Sequence, residues 1–337
     1  MTGAVGHGKG RAAHPPQKQG LKDKADRPTS TAPNRPTWAV VILNWNKSAL
    51  TLNCMDSVDT ALSFCPALTA CLIVVDNGSD LSEHTSLAAG VQERDPWHLL
   101  SLRSNTGFAA GMNAGYREAL SRANPEKILF LNNDVSLAAD AFTALLREET
   151  TVGLATVTGL ILASESSAVH KGVRGYRYWP WLGLATRVTR PDRALDYISG
   201  AAMLIDHFFL ERIGGVPSDS FLYFEELRLV MALQDGERFS CATAAAATHS
   251  GGATANTELR RRSRHYYAAL SCFRFTRDHY PAKLPTVVVS RLAGLLVLGG
   301  LKGQLAPAYD AGRALLDFVA GTDERAEEAS CDGDASY

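Results

Sequence analysis

Three clusters of asparagine, aspartate, serine and glycine each follow an apolar run in the first half of the chain. They read Asn44-Trp45-Asn46, Asp76-Asn77-Gly78-Ser79 and Asn132-Asn133-Asp134. Polar side chains at strand ends can contact a base and a ribose, and glycine lets the backbone approach a ligand. One such cluster alone would simply indicate a turn. Three in succession favour a nucleotide-binding site.

A fourth cluster, NTGFAAGMN at 105–113, has two glycines four residues apart at the start of a predicted helix. The backbone amides and the dipole at a helix N-terminus could face a diphosphate. The pattern matches neither the dinucleotide fingerprint GxGxxG nor a phosphate-binding loop ending in GK[ST]. By itself it is a weak indication of phosphate binding.

Two further positions carry metal-binding side chains. Asp134 ends the cluster Asn132-Asn133-Asp134, which follows an apolar run directly. A carboxylate there could hold Mg²⁺ or Mn²⁺, which would bind diphosphate oxygens and neutralise a leaving group. His249 follows an alanine-rich run and is a second candidate ligand. The alternative for His249 is an ordinary surface histidine.

Two acids, Glu225 and Glu226, follow the aromatic run at 221–224 and stand at the start of a predicted helix. The helix dipole alone would favour acids at this position. A catalytic interpretation is a general base that removes the proton of an attacking hydroxyl. The residues leave both interpretations open.

The elements that must position these residues follow from apolar periodicity. Continuous apolar runs predict buried strands at 38–43, 70–75, 97–102 and 127–131. Helices are expected over about 49–62, with Ser48 as the cap, and over 108–122. Strands that alternate with helices predict a mostly parallel sheet.

The pattern is looser in the second half of the chain. Strands are expected at 153–162, 198–205 and 239–248, and helices at 224–234 and 260–279, with a polar, aromatic segment at 164–195. The stretch 284–318 alternates apolar and small residues. Its expected helices could lie on a membrane surface, or they could pack against the rest of the chain.

Composition sets outer limits on the function. The 337 residues include 34 Lys and Arg against 35 Asp and Glu, a balance that points to neither a nucleic acid nor an anionic membrane as partner. Charge is uneven at the ends, because residues 1–36 carry a net charge of +5 and residues 322–337 a net charge of −5. Both ends are predicted to be disordered tails.

The six cysteines form no CxxC pair, so free thiols in a reducing compartment are expected rather than disulfides or a zinc site. The start of the sequence has no apolar segment of the kind found in secretory signals, so a secretory signal is not expected. The apolar stretch Leu292–Leu301 has ten residues and is predicted to be too short to cross a bilayer. A cytoplasmic location is expected, with peripheral contact at the inner face of the membrane as an alternative.

Seven motifs in order make the chain resemble the family 2 glycosyltransferases of the GT-A fold, particularly the rhamnosyltransferase-like branch. They are VVILNWN (40–46), VVDNGSD (74–80), NTGFAAGMN (105–113), LNND (131–134), SGAAML (199–204), FLYFEE (221–226) and HSGG (249–252). Each motif is loose, but seven in register are specific. The resemblance covers about residues 38–280.

The resemblance implies an α/β GT-A fold and assigns roles to the matching residues. Nucleotide and donor contacts are expected at Asn44, Asp76, Asn77, Ser79, Gly107, Phe108, Gly111, Asn113, Asn132 and Asn133. Asp134 and His249 would bind Mg²⁺ or Mn²⁺. Gly200 and the aromatic pair Trp179 and Trp181 are candidate acceptor contacts, although ordinary packing explains the aromatic residues equally well.

The same resemblance implies an inverting transfer by direct displacement, with Glu226 as the single base and Glu225 as the second candidate. Two departures qualify this assignment. Glu226 stands where the family usually has Asp, and Arg228 stands where relatives carry a further Asp. The alternatives are a catalytically degenerate sugar-nucleotide-binding or partner protein, and a nucleotidyltransferase, although Asn44-Trp45-Asn46-Lys47 is not the glycine-rich basic loop which that class needs.

The expected organisation is a GT-A domain at 37–280, with a nucleotide-binding half at about 37–135 and an acceptor half at about 136–280, followed by a helical extension at 281–321. The donor would be a deoxythymidine-diphosphate deoxysugar such as rhamnose, or a UDP-sugar. The acceptor would be a hydroxyl of a glycan, a lipid-linked saccharide or a natural product. No nucleic-acid partner is expected, and the sequence predicts no particular oligomeric state.

Overall fold

The computed structural model describes residues 37–151, 153–163, 172–249 and 264–322, which all lie in one compact unit. The predicted N-terminal tail, nearly all of the C-terminal tail with Cys331, and three residues of the HSGG motif lie outside the described residues. The five cysteines in the described ranges are free, as predicted.

Within the described ranges, eight strands form one mixed sheet, and two more form a separate hairpin. The sheet strands are β1 (Thr37–Asn44), β2 (Thr69–Asn77), β3 (His98–Leu102), β4 (Lys127–Asn132), β5 (Val135–Leu137), β6 (Val157–Ala163), β9 (Ala202–Asp206) and β10 (Phe239–His249). The hairpin consists of β7 (Gly175–Trp179) and β8 (Leu184–Val188). The order in the sheet is β3-β2-β1-β4-β9-β6-β10-β5, and β9 and β5 run antiparallel to their neighbours. The predicted mostly parallel sheet is confirmed.

Helices flank this sheet and form the C-terminal part of the chain. They are α1 (Ser48–Ser63), α2 (Leu81–Gln92), α3 (Phe108–Arg122), α4 (Ala141–Thr151), α5 (His207–Ile213), α6 (Glu225–Met231), α7 (Arg264–His279), α8 (Leu284–Lys302) and α9 (Ala306–Ala320). A short 3₁₀ helix, Pro281–Lys283, precedes α8.

The central strand β1 is buried on both faces, which explains its continuous apolar run. Trp38, Val40 and Ile42 point into one core, which α1 and α4 cover. Ala39 and Val41 point into a second core, which α3 covers. Side chains of a strand alternate between its two faces, so a strand between two layers of helices needs apolar residues at every position.

Helix α3 comes close to the sheet at Gly115. A Cβ atom added to Gly115 would lie 2.4 Å from Cγ1 of Val41 on β1 and 2.8 Å from Cγ2 of Val75 on β2. Because no side chain fits at this point, the glycine sets how near the helix lies to the sheet. That helix begins at the loop which the sequence predicts to contact a diphosphate.

Ser48 does not cap α1 as predicted, because it is already the first helical residue. Its N–H and its hydroxyl both donate to Oε2 of Glu83, at 2.8 and 2.6 Å. Glu83 lies in the first turn of α2, so the two helix starts are bonded to each other. A long-range partner has therefore replaced the local capping bond.

Three predicted elements have other bounds in the structure. β6 begins at Val157 instead of 153, and β9 begins at Ala202 because Gly200 and Ala201 form a turn beside the pocket described below. α6 ends at Met231, since the following residues form a turn in which the Gln234 N–H donates to Glu237 Oε2. The predicted polar, aromatic segment contains the hairpin of β7 and β8 within its described part.

The C-terminal helices α8 and α9 pack against α7. Val287 of α8 and Ala311 and Ala314 of α9 are buried in one cluster with Tyr267 of α7. The Tyr266 hydroxyl of α7 also donates to Asp317 of α9, at 2.7 Å. These contacts support the second of the two predictions for this region, packing against the rest of the chain.

The prediction that the apolar stretch near the C-terminus is too short to cross a bilayer is wrong as a statement about length. In the described part of the chain, the helical segment Pro281–Leu301 has 21 residues and is apolar enough to span a membrane by length and composition. Counting from Leu292 missed the apolar turns before Arg291. The core helix of a soluble protein can meet the same criterion, so it does not establish a membrane span.

The close approach at Gly115 gives a stability prediction. We expect Gly115→Ala to lower the free energy of unfolding by about 1–3 kcal/mol, because its methyl group overpacks two valines of adjacent strands. Gly312→Ala in α9 is the matched control, since its added Cβ would meet no heavy atom within 4 Å in the structure as described. That variant should raise the free energy by about 0.5–1 kcal/mol. Urea denaturation of both variants measures the difference, and equal effects would contradict the packing argument.

Candidate active site

A pocket of about 330 Å³ opens at the carboxyl ends of β1, β2 and β4. Ligands of open parallel sheets bind at this edge. Ten predicted site residues line the pocket, and they are Asn77, Gly107, Phe108, Asn132, Asn133, Asp134, Gly200, Glu225, Glu226 and His249. The other predicted residues lie outside this lining.

Asn44 is fully buried, and its amide bonds to protein groups instead of facing the pocket. Its Nδ2 donates to Asp76 Oδ1 at 3.2 Å and to Ser79 Oγ at 3.1 Å, and its Oδ1 accepts from Thr51 Oγ1 at 2.7 Å. This corrects the prediction of a direct nucleotide contact. Asn44 connects the ends of β1 and β2 to α1, and so supports the pocket without lining it.

Asp76 is also buried, and both of its carboxylate oxygens have protein partners. Oδ1 accepts from Asn44 and from the backbone and hydroxyl of Ser79. Oδ2 lies 2.6 Å from Nδ1 of His84 on α2. The structure thus places Asp76 and Ser79 in a supporting network, with His84 as a member for which the sequence had no motif.

Asn77 shapes the loop before α3. Its Oδ1 accepts from the Thr106 N–H at 3.0 Å, and its Nδ2 donates to Asn105 Oδ1 at 3.0 Å and to Gly107 O at 3.1 Å. Gly107 has a φ of 88°, a conformation that favours glycine. The Phe108 N–H then donates to Phe221 O at 2.9 Å, which joins this loop to the aromatic run before the two glutamates.

Gly111 and Asn113 pack α3 in place instead of lining the pocket, which corrects a second prediction. A Cβ atom added to Gly111 would lie 2.6 Å from Leu43 Cδ1. The Asn113 amide bonds to both backbone groups of Val216, accepting from its N–H at 2.8 Å and donating to its carbonyl at 2.8 Å. The side chain of an asparagine in a helix can hydrogen-bond to a loop that is distant in sequence, and the motif does not predict such a partner.

Asp134 and His249 meet because β5 pairs antiparallel with β10, which sets His249 opposite Val135. The His249 Nε2 lies 3.1 Å from Asp134 Oδ1. That oxygen is buried and has no hydrogen bond to the described residues, and the same holds for Oδ1 of Asn132. Two unbonded oxygens and an imidazole on one wall of a pocket are suited to a divalent cation.

The set of metal-binding side chains is small for a site in which protein groups alone would bind the metal. The described residues contain no group of three or more His, Cys, Asp or Glu that could hold a metal ion. Mg²⁺ and related ions commonly bind through one or two carboxylates and complete their shell with substrate phosphates and water. The residues present therefore fit a cation that binds together with a diphosphate.

Glu226 is held by the turn that precedes β9. Its Oε1 accepts the Gly200 N–H at 2.9 Å, and the neighbouring Ala201 carbonyl accepts the Asn132 N–H at 2.9 Å. The carboxylate is thus connected, through two residues, to the end of β4 that carries Asp134. Burial raises the pKa of Glu226 above its usual range, and hydrogen bonds from backbone N–H groups oppose this shift.

Glu225 is more deeply buried, at 3% exposure, and its Oε1 has no hydrogen bond within the described residues. Burial raises the pKa of Glu225 to about 8, and repulsion from Glu226 contributes further. A carboxyl group with such a pKa carries its proton at pH 7. Glu225 is therefore expected to be protonated at pH 7, beside a second carboxyl group, Glu226, whose pKa is also raised.

Tyr223 and Phe224, directly before these glutamates, have φ values of 74° and 73°. Bulky residues in this left-handed region are strained, at a cost on the order of 1–3 kcal/mol each, and such strain concentrates at functional sites. Helix α7 holds the turn, because Ser271 Oγ donates to Leu222 O at 2.6 Å and the Phe275 ring lies 5.2 Å from that of Phe224.

Arg228, the departure from the family pattern, does not line the pocket. It is 8% exposed, its Nη2 lies 3.1 Å from Asp278 Oδ2, and its Nη1 lies 3.7 Å from Asp219 Oδ2. The guanidinium also lies over the Phe275 ring, 5.7 Å from its centre. Its positive charge is balanced by two aspartates and stabilises the packing of α6 on α7, while lowering the pKa of Glu225 slightly against the effect of burial.

Trp179 and Trp181 lie at the turn of the β7–β8 hairpin and are about half exposed, outside the pocket lining. Their role in acceptor binding stays a prediction. The lining includes other residues that the motifs did not indicate, among them Asn105, Tyr223 and Arg264. Arg264 begins α7, and its only signal in the sequence is the basic character of the predicted helix.

A mostly parallel α/β sheet with a polar pocket at the carboxyl ends of its strands is the arrangement typical of nucleotide-binding proteins. The sequence model of Glycosyl transferase family 2 matches residues 39–214, which is more than half of the chain. The chain therefore belongs to glycosyl transferase family 2, as the seven motifs predicted.

One similar sequence is the low-salt glycan biosynthesis hexosyltransferase Agl10 of Haloferax volcanii, which is 26% identical over 159 residues. The match covers 46% of this chain and 50% of the relative, so the chain spans about half the length of that curated protein.

Two solved structures share the fold. S. aureus TarS 1–349 in complex with UDP-GlcNAc has a TM-score of 0.53 at 14% identity, covering 86% of this chain and 82% of that one. Mannosyltransferase PcManGT from Pyrobaculum calidifontis, in complex with GDP-Man and Mn²⁺, has a TM-score of 0.51 at 16% identity, covering 93% and 85%. These similarities confirm the predicted GT-A type of fold.

The raised pKa of Glu225 predicts how stability depends on pH. The folded state keeps this proton up to about pH 8, whereas the unfolded chain releases it near 4.5. The free energy of unfolding therefore falls as pH rises through this window, and the loss should be smaller in Glu225→Gln. Urea denaturation from pH 5 to 8 measures the difference between the two proteins. Glu211→Gln, which removes one mostly exposed charge, is the control. Parallel curves of unfolding free energy against pH for wild type and Glu225→Gln would contradict the burial of a protonated acid.

Proposed function

We propose that this protein transfers a sugar from a nucleoside-diphosphate donor to an acceptor hydroxyl, with inversion at the anomeric carbon. One observation carries the proposal. One pocket at the carboxyl edge of the sheet contains Asp134 and His249, a pair of side chains suited to bind a cation. The same pocket contains the carboxylate of Glu226, which a backbone N–H orients. A diphosphate leaving group and a general base are the two requirements of such a transfer.

The donor would bind along the loops at the ends of β1, β2 and β4. Asn77 and Gly107 shape the wall before α3, where the helix N-terminus favours a negative group. TarS and PcManGT, which share the fold, hold UDP-GlcNAc and GDP-Man in their structures. We propose a nucleoside-diphosphate sugar here, with deoxythymidine-diphosphate deoxysugars such as rhamnose and UDP-sugars as the first donors to test.

Glu226 would act as the base. As the acceptor oxygen forms its bond to the anomeric carbon, its proton moves to the Glu226 carboxylate, and the bond between that carbon and the diphosphate oxygen breaks with its electrons on the leaving group. One displacement inverts the centre, so no enzyme nucleophile is required. A raised pKa brings a carboxylate nearer to the working pH, which favours proton transfer.

Glu225 would support this role by remaining protonated. With a pKa of about 8 it is uncharged at pH 7, so it does not repel the Glu226 carboxylate. Its buried Oε1 could also donate a hydrogen bond to a substrate hydroxyl or oxyanion. We propose Glu225 as a neutral partner of the base.

Asp134 and His249 would hold a divalent cation, Mg²⁺ or Mn²⁺, which neutralises the leaving diphosphate when it is bound. The unbonded Asp134 Oδ1 and its proximity to His249 support this assignment, as does the Mn²⁺ in the PcManGT structure. Asn132, on the same wall, offers a further oxygen.

Removal of the base tests the mechanism. Glu226→Gln should reduce the transfer rate by about 10²–10⁴-fold while leaving donor affinity unchanged, because the amide keeps the shape and can still contact Gly200. Gly200→Ala is a companion variant, since its Cβ would lie 2.3 Å from the Glu226 carboxylate and displace it. Transfer is measured as release of nucleoside diphosphate, and donor affinity by thermal shift.

The same assay separates the competing functions. Unchanged turnover in Glu226→Gln would exclude Glu226 as the base. The wild type could instead bind the donor in a metal-dependent way and release no nucleoside diphosphate with any of the acceptors. That result would favour the degenerate sugar-nucleotide-binding protein. Release of pyrophosphate from a nucleoside triphosphate and a sugar phosphate would indicate the nucleotidyltransferase.

The cation site has its own test. Asp134→Ala should abolish the extra stabilisation that Mn²⁺ gives to the donor complex, because it removes the carboxylate of the pair. Thermal shift against a panel of sugar nucleotides, with and without Mn²⁺, measures this effect. Asp192→Ala, at an exposed position after β8, is the control. Donor stabilisation that is equal with and without Mn²⁺ in the wild type would contradict a metal-assisted reaction.

A further inference from the structure

Exposed apolar side chains are concentrated in one part of the described chain. Twelve of its eighteen exposed large apolar residues lie on the β7–β8 hairpin and on α8 and α9 with the loop between them. They are Trp179, Trp181, Leu182, Leu184, Val289, Leu296, Val297, Leu301, Leu305, Tyr309, Leu316 and Val319. Exposed apolar side chains concentrated on a few elements indicate an interaction site.

On α8 the exposed residues form a stripe along the helix. Val289, Ala293, Leu296, Val297, Gly300 and Leu301 are all exposed, and each lies three or four residues from another member, which is the spacing of one helix face. Every member of the stripe is apolar or small. At about 1.5 Å per residue, a helix of 19 residues presents a face almost 30 Å long.

The opposite face of α8 is packed inside the molecule. Val287 is fully buried, and Leu292 and Leu295 pack against the cluster that α7 and α9 build. This arrangement argues against a membrane span, because a helix that crosses a bilayer would have to separate from these partners. Both faces of the helix are largely apolar, but only one of them is exposed.

The hairpin turn continues the apolar surface at the start of α8. Nζ of Lys283 lies over the ring of Trp181, 5.4 Å from its centre. The backbone of Gly183 is so close to Val287 that an added Cβ would lie 2.8 Å from Val287 Cγ1. The exposed tryptophans and the exposed helix face therefore belong to neighbouring elements in contact.

Charge limits the partners that fit this surface. Between Pro281 and Tyr309 the sequence holds three basic residues, Lys283, Arg291 and Lys302, and no acidic residue. Of these, Lys283 lies over the exposed Trp181, whereas Nε of Arg291 is buried on the packed side. A basic residue beside an apolar helix face and exposed tryptophans is typical of proteins at the surface of anionic lipid.

We propose that this surface, made of the exposed face of α8 and the β7–β8 turn, binds the anionic surface of a lipid bilayer. The helix lies in the interface with its apolar stripe among the acyl chains, and α7 and α9 stay on the aqueous side. Trp179 and Trp181 lie at headgroup depth, where their amphipathic rings are favoured.

The surface is close to the pocket. Tyr178 of the same hairpin is buried, and its ring lies edge-on 6.0 Å from that of Phe224, the residue before Glu225. Binding at a bilayer would therefore bring the side of the pocket that carries Glu225 and Glu226 close to the membrane. If the proposed sugar transfer is correct, a lipid-linked saccharide is the acceptor that this geometry favours, and this consequence alone rests on the proposed function.

Vesicle sedimentation of the purified full-length protein tests the binding. The protein should sediment with vesicles of phosphatidylcholine and phosphatidylglycerol at 3:1, and at least tenfold more weakly with phosphatidylcholine alone. The double variant Leu296→Glu/Val297→Glu should lose at least tenfold in affinity, because it places two acids on the stripe. Phe64→Glu, at the end of α1, is the control, since Phe64 is 63% exposed and Val297 62%.

Several results would overturn the proposal. One is no sedimentation of the wild type with the anionic vesicles, and another is equal binding by the double variant. Resistance to extraction with alkaline carbonate would indicate a span instead of an interfacial helix. A wild-type dimer by light scattering that the double variant abolishes, without vesicle binding, would assign the surface to a second copy. Donor-induced thermal shift of the double variant reports on the pocket separately, so failure of membrane binding is distinguishable from failure of the proposed transfer.

Discussion

The amide of Asn44 is the interaction on which the donor side of the site depends. It is fully buried at the end of β1, and its partners Asp76, Ser79 and Thr51 come from β2, the following loop and α1. A buried amide left without partners costs about 1–3 kcal/mol per group, so these elements are held together at one point. The pocket lies over this network, whose hydrogen bonds fix the positions of the strand ends relative to α1.

The acid side of the site depends on a different constraint, the left-handed turn at Tyr223 and Phe224. That backbone is unfavourable by itself, and α7 stabilises it through Ser271 and Phe275. Helix α7 is in turn covered by α8 and α9. The C-terminal helices are thus part of the structure that positions the two glutamates, although they lie beyond the range that the family model matches.

Residue types within the motifs predicted much of the site. Asp134, His249, Glu225 and Glu226 do meet in one pocket, and their roles in catalysis stay predictions. Asn113 shows what such motifs cannot predict, because its amide bonds to Val216, 103 residues later. Arg228 shows the same limit, since the sequence set a positive charge near the acids, and only the fold showed that Asp278 and Asp219 balance it.

By itself, the sequence determined the strands, the helices, the mostly parallel sheet and the family, because these follow from apolar periodicity and from short motifs that are local in the chain. Tertiary structure alone decided which polar residues face the cavity and which support it, since hydrogen-bond partners are chosen by proximity in space. It also decided that Glu225 is buried, which raises the pKa of its carboxyl group, while Glu226 is oriented by Gly200. For α8, composition revealed a largely apolar helix, but only packing distinguished its covered face from its exposed one, because periodicity cannot identify a face when both faces are largely apolar.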